Sequence, residues 1–136
     1  MITLDDLCRD PQRGIDRRVE FPLTSDVQRN LDDLAWRLNH LCRLLPKSFL
    51  PLKITSGYRP GYYNKQAGGA VNSLHVSGSA CDFANVGNAL GSYLLANPQI
   101  LEECKLWAEH PEATKGNQRL HLQSKPPKSG KRFFYP

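Results

Sequence analysis

Apolar residues recur at Val27, Leu31, Leu34, Ala35, Leu38, Leu41, Cys42 and Leu45, at spacings of three and four. That period predicts one long amphipathic helix. Ser25 with Gln28 three positions on reads as its capping box, and Pro46 stops it. Trp36 and His40 fall off the stripe, so His40 is expected on the surface or in helix packing. A different period governs Arg119-Leu120-His121-Leu122-Gln123. Strict alternation predicts a strand with Leu120 and Leu122 on one face and His121 and Gln123 on the other.

Shorter signals fill in the rest. Residues 1–23 are largely irregular, with Thr3 capping a short helix through Leu7-Cys8 and Pro11 and Gly14 breaking it. Leu52-Lys53-Ile54-Thr55 is a short strand entering the turn Ser56-Gly57-Tyr58-Arg59-Pro60. Tyr62 to Ala67 forms one or two helical turns ended by Gly68-Gly69. Asn88 to Leu95 is helical, and Asn97-Pro98 opens a second short helix to Cys104. Leu106 to Glu109 is a strand and His110 to Asn117 a loop. The tail, 124–136, is basic and proline-rich, and its aromatics Phe133, Phe134 and Tyr135 are expected to dock on the body.

At 136 residues, with 40% hydrophobic and 23% charged content, the chain has the size and composition of one globular domain, 1–136. The net charge is +5, but the basic residues are scattered apart from Arg17-Arg18 and the tail. No aromatic-and-basic stripe suggests specific nucleic-acid binding; an anionic cell wall attracts the same charge. No stretch is long and apolar enough to span a bilayer. The acidic start, Asp5-Asp6, does not resemble a signal peptide, so synthesis in a cytoplasm is expected. Cys8, Cys42, Cys81 and Cys104 include no C-x-x-C pair and are expected to be reduced and mostly buried.

The chemistry gathers at Ser73-Leu74-His75-Val76-Ser77-Gly78-Ser79-Ala80-Cys81-Asp82. His and Asp are zinc-ligand types, and catalytic zinc keeps three protein ligands plus an open position. Seven residues is too long for one helical turn but suits a loop running into a strand, with His75 on the loop and Asp82 in the strand. Gly78 permits the turn and Ala80 leaves room beside the metal. His121 is the best third ligand, because two neighbouring strands would aim Asp82 and His121 into one cleft.

This segment resembles the S-x-H-x-x-G-x-A-x-D motif of the M15 zinc peptidases, the D-Ala-D-Ala carboxypeptidase and phage endolysin group. Thr55-Ser56-Gly57-Tyr58-Arg59 is similar to the group's S-G-Y-R turn, and Leu120-His121-Leu122-Gln123 to its late H-x-Q strand. The likeness runs from Leu4 to the tail and is strongest to the short, phage-encoded branch. It implies an α+β fold of the Hedgehog and D,D-peptidase kind, with a small antiparallel sheet backed by helices, and an N-terminal arm packed back on the domain. It implies zinc on His75, Asp82 and His121, and peptidoglycan as partner. The reaction would be hydrolysis of an amide in the D-alanine-containing stem peptide, by a D,D-carboxypeptidase or an endopeptidase. Such a protein, expected to be a monomer, would act at the bacterial wall after release or carriage on a virion.

Arg59 suits bidentate capture of a carboxylate or hydrogen bonding to a scissile carbonyl; outside the motif it would be a turn arginine paired with a surface acid. Ser73 either bonds substrate or pins the loop, and Asn64 holds the loop through backbone bonds. Several relatives carry an acid three residues before the last histidine, where this chain has Gln118, an amide that cannot take a proton at neutral pH. The general base is then sought among Glu109, Glu112 and His110, with Glu109 preferred because it ends a strand just before the loop returning to His121. The missing acid also motivates a rival reading, a non-catalytic zinc-stabilised wall-binding or phage structural module.

Overall fold

The computed structural model describes all 136 residues. Seven helices, α1 (Leu4–Cys8), α2 (Arg17–Glu20), α3 (Ser25–Leu44), α4 (Gly61–Gln66), α5 (Ala89–Ala96), α6 (Gln99–Cys104) and α7 (Pro111–Thr114), accompany five strands. The strands are β1 (Ile54–Ser56), β2 (Ala80–Ala84), β3 (Trp107–Glu109), β4 (Arg119–Gln123) and β5 (Phe133–Phe134), in the sheet order β1-β2-β4-β3-β5. The class is α+β, as the sequence implies. The sheet is mixed rather than purely antiparallel, because β5 runs parallel to β3, with Ala108 beside Phe133 and Glu109 beside Phe134. A two-residue strand is too short to show alternation. Arg132 secures it by lying over the Trp107 ring, 4.5 Å from its centroid, and donating to the Leu106 carbonyl.

The long helix forms where the period places it. Leu31, Leu34, Leu38 and Leu41 are wholly buried, and their stripe faces a single apolar cluster shared with Leu7, Phe83, Leu101, Leu120 and Leu122. Its cap is Thr24, whose hydroxyl accepts from the Val27 amide, not Ser25. Adjacent Thr and Ser are nearly equivalent caps, so sequence places such a boundary only to within a residue or two. Gln28 does not close a box; its side chain donates to Asp32. His40 sits half-buried beside Trp36 and 3.6 Å from Glu103.

Two stretches are more ordered than the sequence suggests. Asp16 caps α2 by accepting from the Arg18 amide. His110 caps α7 through its ring nitrogen, with Pro111 at the first helical position. The N-terminal segment is tied down: Leu7 and Cys8 are fully buried, and the Ile2 amide donates to Asn39. All four cysteines are free; Cys42 is half-buried and the others buried. No helix is long and apolar enough to cross a membrane.

Strand alternation then divides two faces. Cys81 and Phe83 of β2, with Leu120 and Leu122 of β4, are wholly buried in the core. Asp82, Arg119, His121 and Gln123 occupy the opposite face and line a cleft of about 860 Å³.

Candidate metal centre

Three elements bring the site together. β2 and β4 pair so that Asp82 is opposite His121. Between β1 and β2 the register shifts between Ile54 and Ser56, leaving Ser56 beside Asp82. Such an irregularity bends a strand, and here it precedes the Gly57-Tyr58-Arg59 turn at the cleft. The third element is the loop that carries His75. Gly78 turns it at a φ of +78°, a left-handed conformation costly for other residues. Asn64 holds its start by donating to the Ala70 carbonyl, and Asn30 holds its end by donating to the Ser77 carbonyl.

The turn and the loop are locked to each other. His75 Nδ1 lies 2.9 Å from the Gly57 carbonyl, and the Arg59 amide donates to the His75 carbonyl at 3.0 Å. A carbonyl can only accept, so Nδ1 carries a proton and Nε2 is the nitrogen turned toward the cleft. Nε2 lies 3.3 Å from Asp82 Oδ1. His121 is set the other way round. Gln123 donates its amide N–H to the Lys125 carbonyl, which turns Oε1 toward His121 Nε2 at 3.0 Å. His121 Nδ1 then faces Asp82 Oδ1 at 2.8 Å.

Thus one atom each from His75, Asp82 and His121 lies within 4.8 Å of the others, and all three residues are buried. Ligand atoms on a tetrahedral ion with bonds of ~2.0–2.2 Å are about 3.3–3.5 Å apart. The 3.3 Å between His75 Nε2 and Asp82 Oδ1 matches that spacing, while the 2.8 Å between His121 Nδ1 and Asp82 Oδ1 is the shorter contact of a direct hydrogen bond; the N, N, O donor set fits a divalent metal, and these residues could hold one. Each histidine already has the outer hydrogen bond that metal-binding imidazoles use to fix orientation.

Burial alone would raise the Asp82 pKa, but hydrogen bonds from His121 and His75 outweigh it and hold the carboxyl below the usual range. Burial alone would lower that of His121, yet the Asp82 carboxylate raises it. Asp82 is therefore an ionised carboxylate set between two imidazoles and the Arg119 guanidinium.

The cleft also collects Arg59, Ser73 and Glu109. Arg59 Nε is buried without a hydrogen-bond partner. Ser73 Oγ accepts from the His75 amide at 3.3 Å, the geometry of a loop pin. Of the three acids and bases considered, Glu109 alone lines this cleft. Glu112 is exposed and paired with Lys115 at 2.7 Å, and His110 caps α7 and stacks on Tyr135. Gln118 occupies a left-handed turn with its carbonyl bonded to the Asn85 amide.

A family model described as Peptidase M15 matches residues 5–97. The chain belongs to the M15 peptidase family. The matched span of this M15 chain takes in Arg59, Ser73, His75 and Asp82; Glu109, Arg119, His121 and Gln123 lie beyond it and are joined to the site by the fold. No match is found among curated proteins or among solved structures.

Two participants escaped sequence reasoning. Arg119 Nη1 lies 3.2 Å from Asp82 Oδ2, and Nη2 lies 3.7 Å from Glu109 Oε2. Phe134 stands edge-on to His121 at 6.4 Å between centroids. Alternation from His121 places Arg119 on the cleft face, a signal present in the sequence; the position of Phe134 depends on β5 and carries none.

Proposed function

We propose that this M15 chain is a zinc-dependent peptidase that hydrolyses an amide bond in the D-alanine-containing stem peptide of peptidoglycan. The observation that carries the reading is the convergence of His75 Nε2, Asp82 Oδ1 and His121 Nδ1 on one point of a cleft that Glu109 and Arg59 also line. Zinc held by those three side chains would lower the pKa of its water to about 7 and polarise a carbonyl. Glu109 would accept the proton of the attacking water and pass it to the departing amine. Arg59, its Nε unpartnered, would bind a substrate carboxylate or the carbonyl being cut. Ser73 would hold the His75 loop and border the substrate. An unpaired guanidinium suits the free carboxylate of a terminal D-alanine, which favours the carboxypeptidase over the endopeptidase.

The deciding experiment incubates the purified protein with cell wall and follows products with and without a chelator. Release of free D-alanine that stops on chelation and returns with zinc is expected. Release of internal stem fragments would keep the peptidase and reverse the choice of bond. Stoichiometric zinc with no product from wall or stem peptide would overturn the enzyme and leave a wall-binding module.

A further inference from the structure

Asp82 presents its two oxygens to different partners. Oδ1 faces both imidazoles, at 3.3 Å and 2.8 Å, while Oδ2 faces Arg119 at 3.2 Å. The other arm of the same guanidinium reaches Glu109 at 3.7 Å. One planar fork therefore spans the carboxylate that would hold the metal and the carboxylate that would move the proton. Arg119 comes from β4, two residues before His121, so the strand that supplies the imidazole also supplies the fork.

We infer that Arg119 is a positioning residue that keeps the proposed zinc site open; the inference rests on the zinc-peptidase reading above. A carboxylate can bind a cation through one oxygen or both, and a second carboxylate nearby can join as a further ligand. Either event would occupy the position that water and substrate need. Arg119 counters both. It engages Oδ2, which leaves Asp82 to donate through Oδ1 alone, and it attracts Glu109, which keeps that carboxylate available as a base. The side chain is about one-third exposed, so it is not a core element whose loss would collapse the sheet.

Arg119 also places a positive charge near a cation site, which by itself weakens metal binding. Arg119→Lys separates the two effects, because lysine keeps the charge but loses the fork. Zinc affinity is measured on metal-free protein by competition with a chromogenic chelator, beside steady-state hydrolysis of a stem peptide. Arg119→Lys is expected to tighten zinc binding by about tenfold, as Asp82 Oδ2 or Glu109 joins the ion, and to lower kcat by about tenfold or more with KM near wild type. Combined with Glu109→Gln, its effect on kcat is expected to fall well short of the product of the two single losses, as for groups acting as a unit. Should the lysine variant fold poorly, Arg119→Gln carries the kcat and double-variant readouts, because its zinc affinity also reflects the lost charge.

Zinc affinity within about twofold of wild type, or weaker than it, in a variant that folds, would overturn the inference. So would a raised KM at unchanged kcat, which would make Arg119 a substrate binder. In both cases a wild-type protein that binds zinc and cleaves keeps the zinc-peptidase reading intact. A wild type that takes up no zinc overturns that reading, and the role of Arg119 with it.

Discussion

Asp82 and His121 are direct cross-strand partners in β2 and β4, with His121 Nδ1 2.8 Å from Asp82 Oδ1. Backbone pairing, not side-chain flexibility, sets this distance, so two of the three proposed ligands are prepositioned. Zinc at about 100 times its dissociation constant should then stabilise the fold by about 2.7 kcal/mol. For a chain of this size that is a rise in Tm of roughly 10 °C. Asp82→Asn replaces the ligand by an amide and should weaken zinc binding by at least ~100-fold, beyond what outer-sphere changes cost. Thermal melts of both proteins, with and without zinc, check this: a shift in wild type and almost none in the variant.

Glu109→Gln preserves shape but cannot take a proton at neutral pH. The expected result is a kcat about 10²–10⁴-fold lower with zinc content unchanged. The ion pair lost with Arg119 spans 3.7 Å and is partly exposed, so Tm should scarcely move. Metal analysis beside stem-peptide kinetics measures both halves. A Glu109→Gln enzyme with wild-type kcat would remove Glu109 from the mechanism.

Gly57 links the N-terminal segment to the candidate metal centre. A Cβ there would lie 2.2 Å from the Leu7 carbonyl oxygen, a backbone atom with little freedom to retreat. The Tyr58 amide donates to that same oxygen at 2.7 Å, and the Gly57 carbonyl holds His75 Nδ1. Gly57→Ala must push the turn away from α1 or displace α1, at a cost of roughly 2–4 kcal/mol. Because the turn also orients His75, zinc affinity should fall together with Tm. Chelator competition and melting on one sample test the coupling; a drop in Tm alone would show that His75 keeps its orientation without this turn.

How much of this was legible in the sequence differs from element to element. α3 and β4 were, because a 20-residue stripe and a five-residue alternation each exceed what chance arrangement gives. His75, Asp82 and His121 were legible as a set through motif order and residue chemistry. Thr24 as the cap was not, since Ser25 competes on equal physical terms. The parallel β5 was not, because its place comes from Arg132 on Trp107 and from backbone bonds to β3, contacts between distant parts of the chain. Arg119 drew no notice because an arginine beginning a strand looks like any solvated charge. Its meaning appears only when β2 and β3 set Asp82 and Glu109 on either side of it.

Asp10 anchors the N-terminal segment through charge. Its carboxylate accepts from the amides of Gln12 and Arg13 and pairs with the Arg13 and Arg17 side chains. Burial opposes ionisation, but these hydrogen bonds win and lower the pKa from 3.8 to about 2. A depressed folded-state pKa stabilises the protein above the unfolded value, and that stabilisation is lost as pH falls through the folded one. Asp10→Asn keeps an acceptor for the two amides and loses the ion pairs. It should cost about 1–2 kcal/mol at neutral pH. The gap from wild type should hold down to about pH 4 and close toward about pH 2. Urea melts across that range read it directly; a gap independent of pH would assign the loss to shape instead of charge.

Gln123 fixes which nitrogen of His121 is available. Its N–H is committed to the Lys125 carbonyl, so Oε1 is the atom offered to His121 Nε2; with Asp82 Oδ1 against Nδ1, both ring nitrogens face acceptors, and a metal would take the place of the Nδ1 proton. Gln123→Glu and Gln123→Leu take this arrangement apart in different ways. Glutamate keeps an acceptor for Nε2–H and makes the imidazole a stronger donor, but it loses the N–H that orients the group. Leucine fills similar space with no acceptor, so the ring keeps its proton on Nδ1 against Asp82, the nitrogen that the metal needs. Zinc affinity should therefore fall about 10–100-fold for leucine and less for glutamate. NMR of the His121 ring nitrogens in the metal-free protein gives an independent reading: Nε2 protonated in wild type, and Nε2 bare with the proton on Nδ1 in Gln123→Leu. Equal zinc affinity in all three proteins would mean that the metal itself sets the protonation of the ring, and that the Gln123 bond is a consequence of the site's order and not its source.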